Sequence, residues 1–374
     1  MKKYLYFICV MAFMAISCEN TDNPTFYDEE DDTIPGTVLS ELKSGDDLSI
    51  VINRAIENAT TNDSVVTIKI PARVRLVMNS PVVLTKKVII AGSSSYPPKI
   101  TPSSGANIQT IDELKLINIE VDANNLDIPL IEMGVGLPSK SKIGGIELNK
   151  VKITNLKHQL VYGNRQKYLL DKVVIENSII QMDGSEGKTI IDFRAGGNTS
   201  LLSIDNSTIY CIPTNAINGG LFSSQAGKSV PDLGGDNQTF SINNSTLYNI
   251  SYGKTISLLR HYSQPYLKYV VKNSIIFNCG VKGDFLKGLN AGQIGPNSEW
   301  DVDRNAFNYT VNGVIQDSHK NEIAGSSVEN VRNSINGVVM FNNAAHGDFT
   351  LMDCEAKKAE IGDPRWLTEK DQGE

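Results

Sequence analysis

Three arginines precede repeated strands of this chain at nearly the same distance. Arg165 and Arg194 each lie 12 residues before an Asn of the repeat described below (177 − 165 and 206 − 194). Arg260 lies 13 residues before its Asn (273 − 260), and its neighbour His261 lies 12 before. A planar guanidinium matches carboxylate or sulfate groups two hydrogen bonds at a time. On stacked rungs the arginines would form a broken column that contacts an acidic glycan.

The same column has a structural interpretation. Neighbouring guanidinium groups repel each other, by roughly 3 kcal/mol at 5 Å and an effective dielectric near 20, so a compensating charge is expected. The chain offers nearby carboxylates that could neutralise the arginines internally, namely Asp171, Asp183 and Asp192. The sequence leaves the glycan contact and the internal pairing open.

An aromatic side chain recurs four residues after the same Asn, at Tyr210, Tyr248 and Phe277. Position +3 is apolar and should point inward, so strand alternation places position +4 on the outside. Exposed Tyr210 and Tyr248 would stack on sugar rings, whereas covering loops would make the stripe structural. Both interpretations remain open.

Catalysis on a uronate would require a cation that neutralises the sugar carboxylate and a base that removes the neighbouring proton. Candidates for these roles are Arg260, His261 and Arg194. No compact acidic motif lies inside the repeats, and the scattered His and Cys residues lack metal-ligand spacing. We therefore expect no metal and no cofactor, with calcium entering only if the protein is a lyase.

Four stretches that resemble one another must position these residues. Aligned on an Asn-Ser pair, their Asn residues are separated by 29, 38 and 29 residues (206 − 177, 244 − 206 and 273 − 244). A period of this size on short β-branched strands is typical of solenoids. The stretches are VVIENSII (173–180), LSIDNSTI (202–209), FSINNSTL (240–247) and YVVKNSII (269–276).

Apolar residues at −2 and +3 from each Asn indicate a shared dry interior, and the Asn itself tolerates the left-handed backbone of a tight turn. Stacking at about 4.8 Å would let the amides form an internal ladder of Asn177, Asn206, Asn244 and Asn273. The pattern predicts an all-β fold, a right-handed parallel β-helix. A β-propeller or sandwich is the alternative, although propeller blades carry more strands per period.

The ends of the solenoid differ from its rungs. The predicted domain covers 38–374, and within it 38–64 contains a helix that would cap the first rung against strand-edge pairing. The longer interval of 38 residues predicts an inserted loop at 223–238, which is rich in Gly, Pro and Ser. Residues 345–374 lack the repeat and are predicted to close the other end.

The N-terminus predicts export. Residues 1–17 combine two lysines with an apolar run too short to span a bilayer comfortably, followed by Cys18. A small residue before Cys resembles the bacterial lipoprotein box, which implies lipidation of Cys18; a plain secretory signal is the alternative. Residues 18–37 form an acidic, flexible tether. Its acidic residues resemble a surface-export signal, so we expect a lipid-anchored protein on the outer membrane. The net charge of −7 disfavours a nucleic-acid partner.

These features together resemble uncharacterised Bacteroidetes surface lipoproteins with a pectate-lyase-like β-helix. The resemblance rests on the lipobox, the tether, the IIDFRAGG rung (190–197), the NSII and NSTI repeats, and the terminal GDFTL and IGDPRW segments. It implies a right-handed β-helix and a link to polysaccharide utilisation, without a settled activity.

The sequence therefore predicts a surface lipoprotein that binds polysaccharide, most simply an acidic glycan, with Arg165, Arg194, Arg260, Tyr210 and Tyr248 as contacts. The only membrane contact expected is the lipid. The alternative is a polysaccharide lyase that cleaves uronate-containing glycans by β-elimination, and a purely structural surface protein is a third hypothesis.

Overall fold

Short strands separated by tight bends dominate the chain after an initial helix. The computed structural model describes residues 42–59, 65–93, 95–134, 141–184, 187–193, 197–212, 219–224, 237–250, 259–260, 266–279, 299–317 and 331–367. Helix α1 (Leu48–Asn58) precedes all the strands.

The first group of strands runs to Tyr162. Its members are β1 (Val66–Ile70), β2 (Arg75–Met78), β3 (Val82–Leu84), β4 (Val88–Gly92), β5 (Lys99–Pro102), β6 (Ile108–Thr110), β7 (Leu114–Ile117), β8 (Glu120–Asp122), β9 (Ile131–Met133), β10 (Ser141–Asn149), β11 (Lys152–Leu156) and β12 (Val161–Tyr162).

The second group contains the four sequence repeats. Its members are β13 (Tyr168–Glu176), β14 (Ile179–Met182), β15 (Ile191–Phe193), β16 (Asn198–Asp205), β17 (Thr208–Cys211), β18 (Phe222–Ser224), β19 (Asn237–Asn243), β20 (Thr246–Tyr248), β21 (Leu259–Arg260), β22 (Tyr266–Lys272) and β23 (Ile275–Phe277).

The last group ends the solenoid and continues beyond it. It comprises β24 (Glu299–Asp303), β25 (Ala306–Val311), β26 (Val314–Asp317), β27 (Val331–Arg332), β28 (Phe341–Asn343), a 3-10 turn (Ala344–His346), β29 (Asp348–Leu351), helix α2 (Glu355–Lys358) and a second 3-10 turn (Pro364–Trp366).

Up to β23, strands three apart in the chain pair with one another, and this pairing builds three long sheets among the described residues. The first sheet has the order β1-β4-β7-β10-β13-β16-β19-β22-β24-β27, the second β2-β5-β8-β11-β14-β17-β20-β23-β25-β26, and the third β21-β18-β15-β12-β9-β6-β3. Pairing is parallel except between β25 and β26 and between β28 and β29. The fold is a right-handed parallel β-helix, as predicted, and not a propeller or a sandwich.

The repeat positions face the interior as the sequence indicated. At −2, Ile175, Ile204 and Ile242 are buried, and at +3, Ile180 and Ile209 are buried. The core also contains a row of aromatic rings that contact their neighbours at centroid distances of 4.3–6.0 Å. Its members are Tyr168, Phe193, Phe222, Phe240, Tyr269 and Trp300. Each turn therefore buries apolar surface against the turns above and below it.

Helix α1 caps the first rung. The Asp47 carboxylate accepts a hydrogen bond from the backbone N–H of Ser49 at 3.0 Å, which satisfies one of the free donors at the helix start. Leu48, Ile52 and Ala55 are buried in the same core as the strands. The predicted N-terminal capping helix is therefore present, with bounds inside 38–64.

The C-terminal segment lies along the flank of the solenoid, where the sequence suggested closure of its end. Residues 341–367, called here the C-terminal strap, pack against outward side chains of the second sheet. The Gly362 N–H donates to the carbonyl of Asn273 at 2.7 Å, and the Arg365 guanidinium donates to the carbonyl of Asn177 at 3.1 Å. The strap thus spans several rungs.

The inserted loop is shorter than expected at both ends. Ser223 and Ser224 belong to β18, and Asn237 and Gln238 belong to β19. The remainder of the predicted loop, 225–236, lies outside the described residues.

Candidate functional site

One residue of each third-sheet strand stands in register with its neighbours, and at Gln109, Glu132 and Tyr162 this column faces outward. In β9 the flanking residues Ile131 and Met133 are buried, whereas Glu132 between them is half-buried, as alternation requires. Neighbouring members lie about 4.8 Å apart, the spacing of adjacent strands. We call this the third-sheet column; its members are Val83, Gln109, Glu132, Tyr162, Asp192, Ser223 and Arg260.

A buried amide organises the first polar part of this column. Asn107 is fully buried just before β6. Its Nδ2 donates to Glu132 Oε2 at 3.1 Å, and its Oδ1 accepts from Gln109 Nε2 at 3.2 Å. Two outward side chains on adjacent strands are therefore tied to one side chain beneath them.

Further along, the column is buried. Asp192 is 1% exposed and Ser223 is 2% exposed. Burial, followed by the charge of Asp192, raises the pKa of the Tyr168 phenol well above its usual value. The hydroxyls of Tyr168 and Ser223 have no hydrogen-bond partner within the described ranges. This half of the column is polar and desolvated.

The three arginines of the predicted column stand at different distances along the chain from the third-sheet column, which argues against a single arginine column. Tyr162 pairs with Asp192, and Leu169 on the following strand pairs with Asn198. The chain takes seven residues from Tyr162 to Leu169 but only six from Asp192 to Asn198 (169 − 162 and 198 − 192), so the two turns differ in length by one residue. The sequence-based alignment counted backwards from the Asn of each repeat, and it therefore assumed that all turns have the same length. By chain position Arg165 follows the third-sheet column by three residues and Arg194 by two, whereas Arg260 is a member of it.

The individual arginines can be placed to different extents. Arg165 is exposed in the turn after β12, with a left-handed φ of 53°. No ion pair joins it to Asp171, Asp183 or Asp192 in the part of the chain described above. Arg260 lies in β21, and its side chain is not described. Arg194 and His261 lie outside the described residues.

The C-terminal strap packs over the aromatic stripe, which argues against a direct glycan contact at Tyr210. The Phe349 ring of the C-terminal strap lies 4.9 Å from that of Tyr210 and 5.3 Å from that of Tyr248. Tyr210 is only 7% exposed. The stripe points outward, and apolar side chains of the strap pack against it, which favours the structural interpretation.

The Asn column forms turns, as its residue type indicates. Asn177, Asn206, Asn244 and Asn273 all have left-handed backbones with φ between 45° and 50°. Their amides differ from the predicted internal ladder. Asn177 Nδ2 donates to Asn149 at 3.2 Å and Asn244 Nδ2 to Asp205 at 3.1 Å, in each case one position before the column of the preceding rung.

The neighbouring serines form the internal ladder that sequence reasoning missed. The four repeat serines are fully buried and stack in order, and we call them the serine ladder: Ser178, Ser207, Ser245 and Ser274. The backbone N–H of each of the first three donates to the hydroxyl of the next at 3.0–3.2 Å. The signal was present, because Ser follows Asn in every repeat.

Ion pairs occupy the outer face of the first sheet. Lys115 bridges Glu113 at 3.4 Å and Glu147 at 3.1 Å, and Lys172 contacts Glu147 at 2.5 Å. Partial burial alone would raise the pKa of Glu147, but hydrogen bonds from Lys172 and Lys115 hold it below its usual value. This face is internally neutralised and offers little free charge to a ligand.

The described residues bring together no group of three or more His, Cys, Asp or Glu side chains that could hold a metal ion. Cys211, Cys279 and Cys354 are buried thiols. Burial raises the pKa of Cys279 to about 12, so this thiol stays protonated. No helix in these ranges has the length and apolar character that crossing a membrane demands.

Comparisons with known proteins give a family without an assigned activity and a structural likeness. Residues 75–212 match a family described as a domain of unknown function (DUF4957). No curated protein matches the chain. Among solved structures, it is similar to a PL6-family alginate lyase, AlyGC, with 16% identity and a TM-score of 0.41 over 73% of this chain. The match spans 37% of that lyase.

The third-sheet column crosses much of the matched region, and its sequence signal is weak. Glu132, Tyr162, Asp192 and Ser223 are separated by 30, 30 and 31 residues (162 − 132, 192 − 162 and 223 − 192). Each lies in a strand of only two or three residues, where a single polar residue beside apolar ones cannot be distinguished from a loop. Of the predicted site residues, the structure places only Arg260 on this column.

Proposed function

We propose that the protein binds polysaccharide along the third-sheet column. The observation that carries the proposal is the register itself. Gln109, Glu132 and Tyr162 lie on adjacent strands and share one outward face. A linear polymer laid along the solenoid axis would meet a polar or aromatic side chain at each strand, which suits a ligand with hydroxyl groups and apolar ring faces.

The other faces support this choice by contrast. Ion pairs neutralise the outer face of the first sheet, and the C-terminal strap covers the second sheet around Tyr210 and Tyr248. On the third sheet, Gln109, Glu132 and Tyr162 are half-buried, so each presents part of its surface. The third sheet therefore presents partly exposed polar or aromatic side chains on three successive strands of one face.

Arg165 favours an acidic polysaccharide. It is exposed three residues after Tyr162 and has no ion-pair partner among the described residues. An unpaired guanidinium beside the column can take a carboxylate or sulfate through two parallel hydrogen bonds. The overall charge of −7 repels polyanions, so a local cation is needed to offset that repulsion.

A polysaccharide lyase is the second candidate, and the position of Arg260 favours it. Arg260 pairs with Ser223, which pairs with Asp192, so a cation and an acid belong to the same column. In this hypothesis Arg260 neutralises the uronate carboxylate, and His261 or Arg194 removes the neighbouring proton. The described carboxylates do not gather into a calcium site, and no step is assigned to that ion.

The cellular setting is part of the same proposal. Residues 1–17 would direct export, lipid on Cys18 would anchor the protein to the outer membrane, and 18–37 would tether the domain at the cell surface within a polysaccharide-utilisation system. Incorporation of labelled fatty acid that is lost in Cys18→Ala would support this anchor. A soluble, unlabelled product from the unchanged chain would overturn it.

Binding is measured as retardation of the protein in gels that contain acidic or neutral polysaccharides. Lyase activity is followed in parallel through the absorbance of unsaturated product, with and without calcium. We expect retardation without product, weakened about tenfold for acidic ligands in Arg165→Ala. Arg75→Ala is the matched control, because Arg75 is exposed on the second sheet.

Each other outcome has a defined meaning. New absorbance that disappears in Arg260→Ala would establish the lyase and replace simple binding. Equal loss in Arg75→Ala would show that the Arg165 effect reflects general charge. No retardation by any polysaccharide would overturn the proposed function.

A further inference from the structure

We propose that Gln109 and Glu132, positioned by Asn107, form a subsite for the hydroxyl groups of an uncharged sugar unit. The inference rests on the proposed function and adds to it a second, chemically distinct contact. Arg165 would take an acidic group, whereas this subsite takes neutral donors. A ligand that satisfies both contains acidic and neutral units, or units with both kinds of group.

The hydrogen bonds of the Asn107 side chain join it to other side chains. Both bonds of Asn107 join side chains to side chains, Nδ2 to Glu132 Oε2 and Oδ1 to Gln109 Nε2. The backbone of Asn107 already takes part in rung pairing, since its carbonyl accepts from Val82 N–H at 2.9 Å. The side-chain network therefore satisfies no backbone group that would otherwise lack a partner. Its direct effect is to hold two outward side chains in place.

The network also lowers the entropic cost of binding. Gln and Glu side chains have many rotamers, so immobilising them costs conformational entropy. Here much of that ordering has taken place in the free protein, because both side chains are bonded to a buried amide. A preorganised pair binds a ligand at lower entropic cost than two free side chains would.

Glu132 and Gln109 keep more hydrogen-bond acceptors than donors for a ligand. Glu132 keeps Oε1 and the free lone pairs of its carboxylate, all acceptors. Gln109 keeps its carbonyl oxygen and one N–H. Neither side chain has another hydrogen-bond partner in the described ranges. A set dominated by acceptors and carrying negative charge takes O–H donors and repels carboxylate or sulfate.

An aromatic and an aliphatic side chain flank the pair of Gln109 and Glu132. Tyr162 is in register beyond Glu132, and Val83, which is 41% exposed, is in register before Gln109. A pyranose ring presents hydroxyl groups at its edge and C–H groups on its face. Acceptors flanked by an aromatic and an aliphatic side chain match both parts of such a ring.

The experiment measures dissociation constants of the full chain for a neutral oligosaccharide and for the same oligosaccharide with its hydroxyls methylated. We expect the native chain to prefer the free hydroxyls, and Glu132→Ala to weaken that binding about tenfold and remove the preference. Glu120→Gln is the control, because Glu120 lies on the second sheet in an exposed pair with Lys152.

Asn107 is tested as a positioning residue by a double-mutant cycle. Asn107→Ala should weaken binding in the native background and have little further effect in Glu132→Ala. A merely structural role would lower affinity equally in both backgrounds. If Asn107→Ala does not fold, Glu132→Ala and Gln109→Ala carry the test, since both positions are half-buried at the surface.

Failure of this inference and failure of the proposed function give different results. Unchanged affinity in Glu132→Ala and Gln109→Ala, with loss only in Arg165→Ala, would overturn the subsite and leave polysaccharide binding intact. Equal binding of the methylated ligand by the native chain would also overturn it. Absence of binding to any oligosaccharide or polysaccharide would overturn both.

Discussion

Buried hydroxyls connect successive rungs of this solenoid at the level of single residues. In the serine ladder, each hydroxyl accepts an N–H from the preceding rung and donates to the carbonyl two residues before it, as Ser207 Oγ does to Asp205 O at 2.7 Å. Asn305 Oδ1 continues the ladder by accepting from Ser274 N–H at 2.9 Å. The serine hydroxyls thereby give hydrogen-bond partners to backbone groups of the bends between the first and second sheets, where water does not reach.

Replacing one rung of the ladder should therefore be costly. Ser207→Ala leaves the backbone N–H of Ser178 buried without its partner, which should lower the free energy of unfolding by about 1–3 kcal/mol. Denaturant unfolding followed by circular dichroism measures the loss. Ser203→Ala is the control, because Ser203 lies on β16, just before the bend that contains Ser207, and faces outward. Equal stability of the two variants would contradict the role of the ladder.

The largest departure from the sequence-based expectation at the level of elements is the C-terminal strap. Its aromatic rings bury the outward stripe, and polar contacts fasten it. Trp366 Nε1 donates to Thr208 Oγ1 at 2.7 Å, and that hydroxyl donates to the buried carboxylate of Asp363 at 2.6 Å. The strap thus replaces water over Tyr210 with an apolar layer.

Removing the main anchor of the strap should expose this layer. Trp366→Ala deletes a buried aromatic side chain and the Thr208 contact, so we expect about 3–5 kcal/mol of destabilisation. Limited proteolysis should cut within 341–367 before the rungs. Met352→Ala, at a side chain 50% exposed, should leave both measurements unchanged. Simultaneous cleavage of strap and rungs in Trp366→Ala would show that the strap does not open separately.

The whole molecule behaves as a stack in which each rung mainly contacts its neighbours. Two elements modify that simple picture. Helix α1 covers the first rung, and the C-terminal strap contacts turns from Asn177 to Arg304, whose Nη2 donates to Ala359 O at 2.9 Å. The strap thereby connects rungs that do not touch, which should make unfolding of that half more cooperative.

The cap at the first rung can be tested on one helix. Ile52 is fully buried and Ile50 is 56% exposed. Ile52→Asp would place an unpaired charge in the core, so we expect about 3–5 kcal/mol of destabilisation and association through the uncovered strand edges. Ile50→Asp should change stability by less than about 0.5 kcal/mol. Size-exclusion chromatography and denaturant unfolding distinguish the two; a monomeric, fully stable Ile52→Asp protein would contradict the capping role.

The sequence by itself determined the repeating architecture, its inward positions and its capping helix. Burial of Ile175 and Ile204 and the left-handed turns at Asn177 and Asn206 follow from local rules, since residue type and period act within each rung. Because these features recur in each repeat, they can be predicted from the sequence alone.

Only the tertiary structure decided which outward face is available and which residues share a column. The covering of Tyr210 depends on Phe349 and Trp366, more than a hundred residues away in the chain (349 − 210 = 139), and no local pattern encodes that contact. Likewise, the turn after Tyr162 is one residue longer than the turn after Asp192, so Arg165 and Arg194 stand at different distances along the chain from the third-sheet column. Register is the sum of all preceding turn lengths, so a small local difference changes which side chains become neighbours.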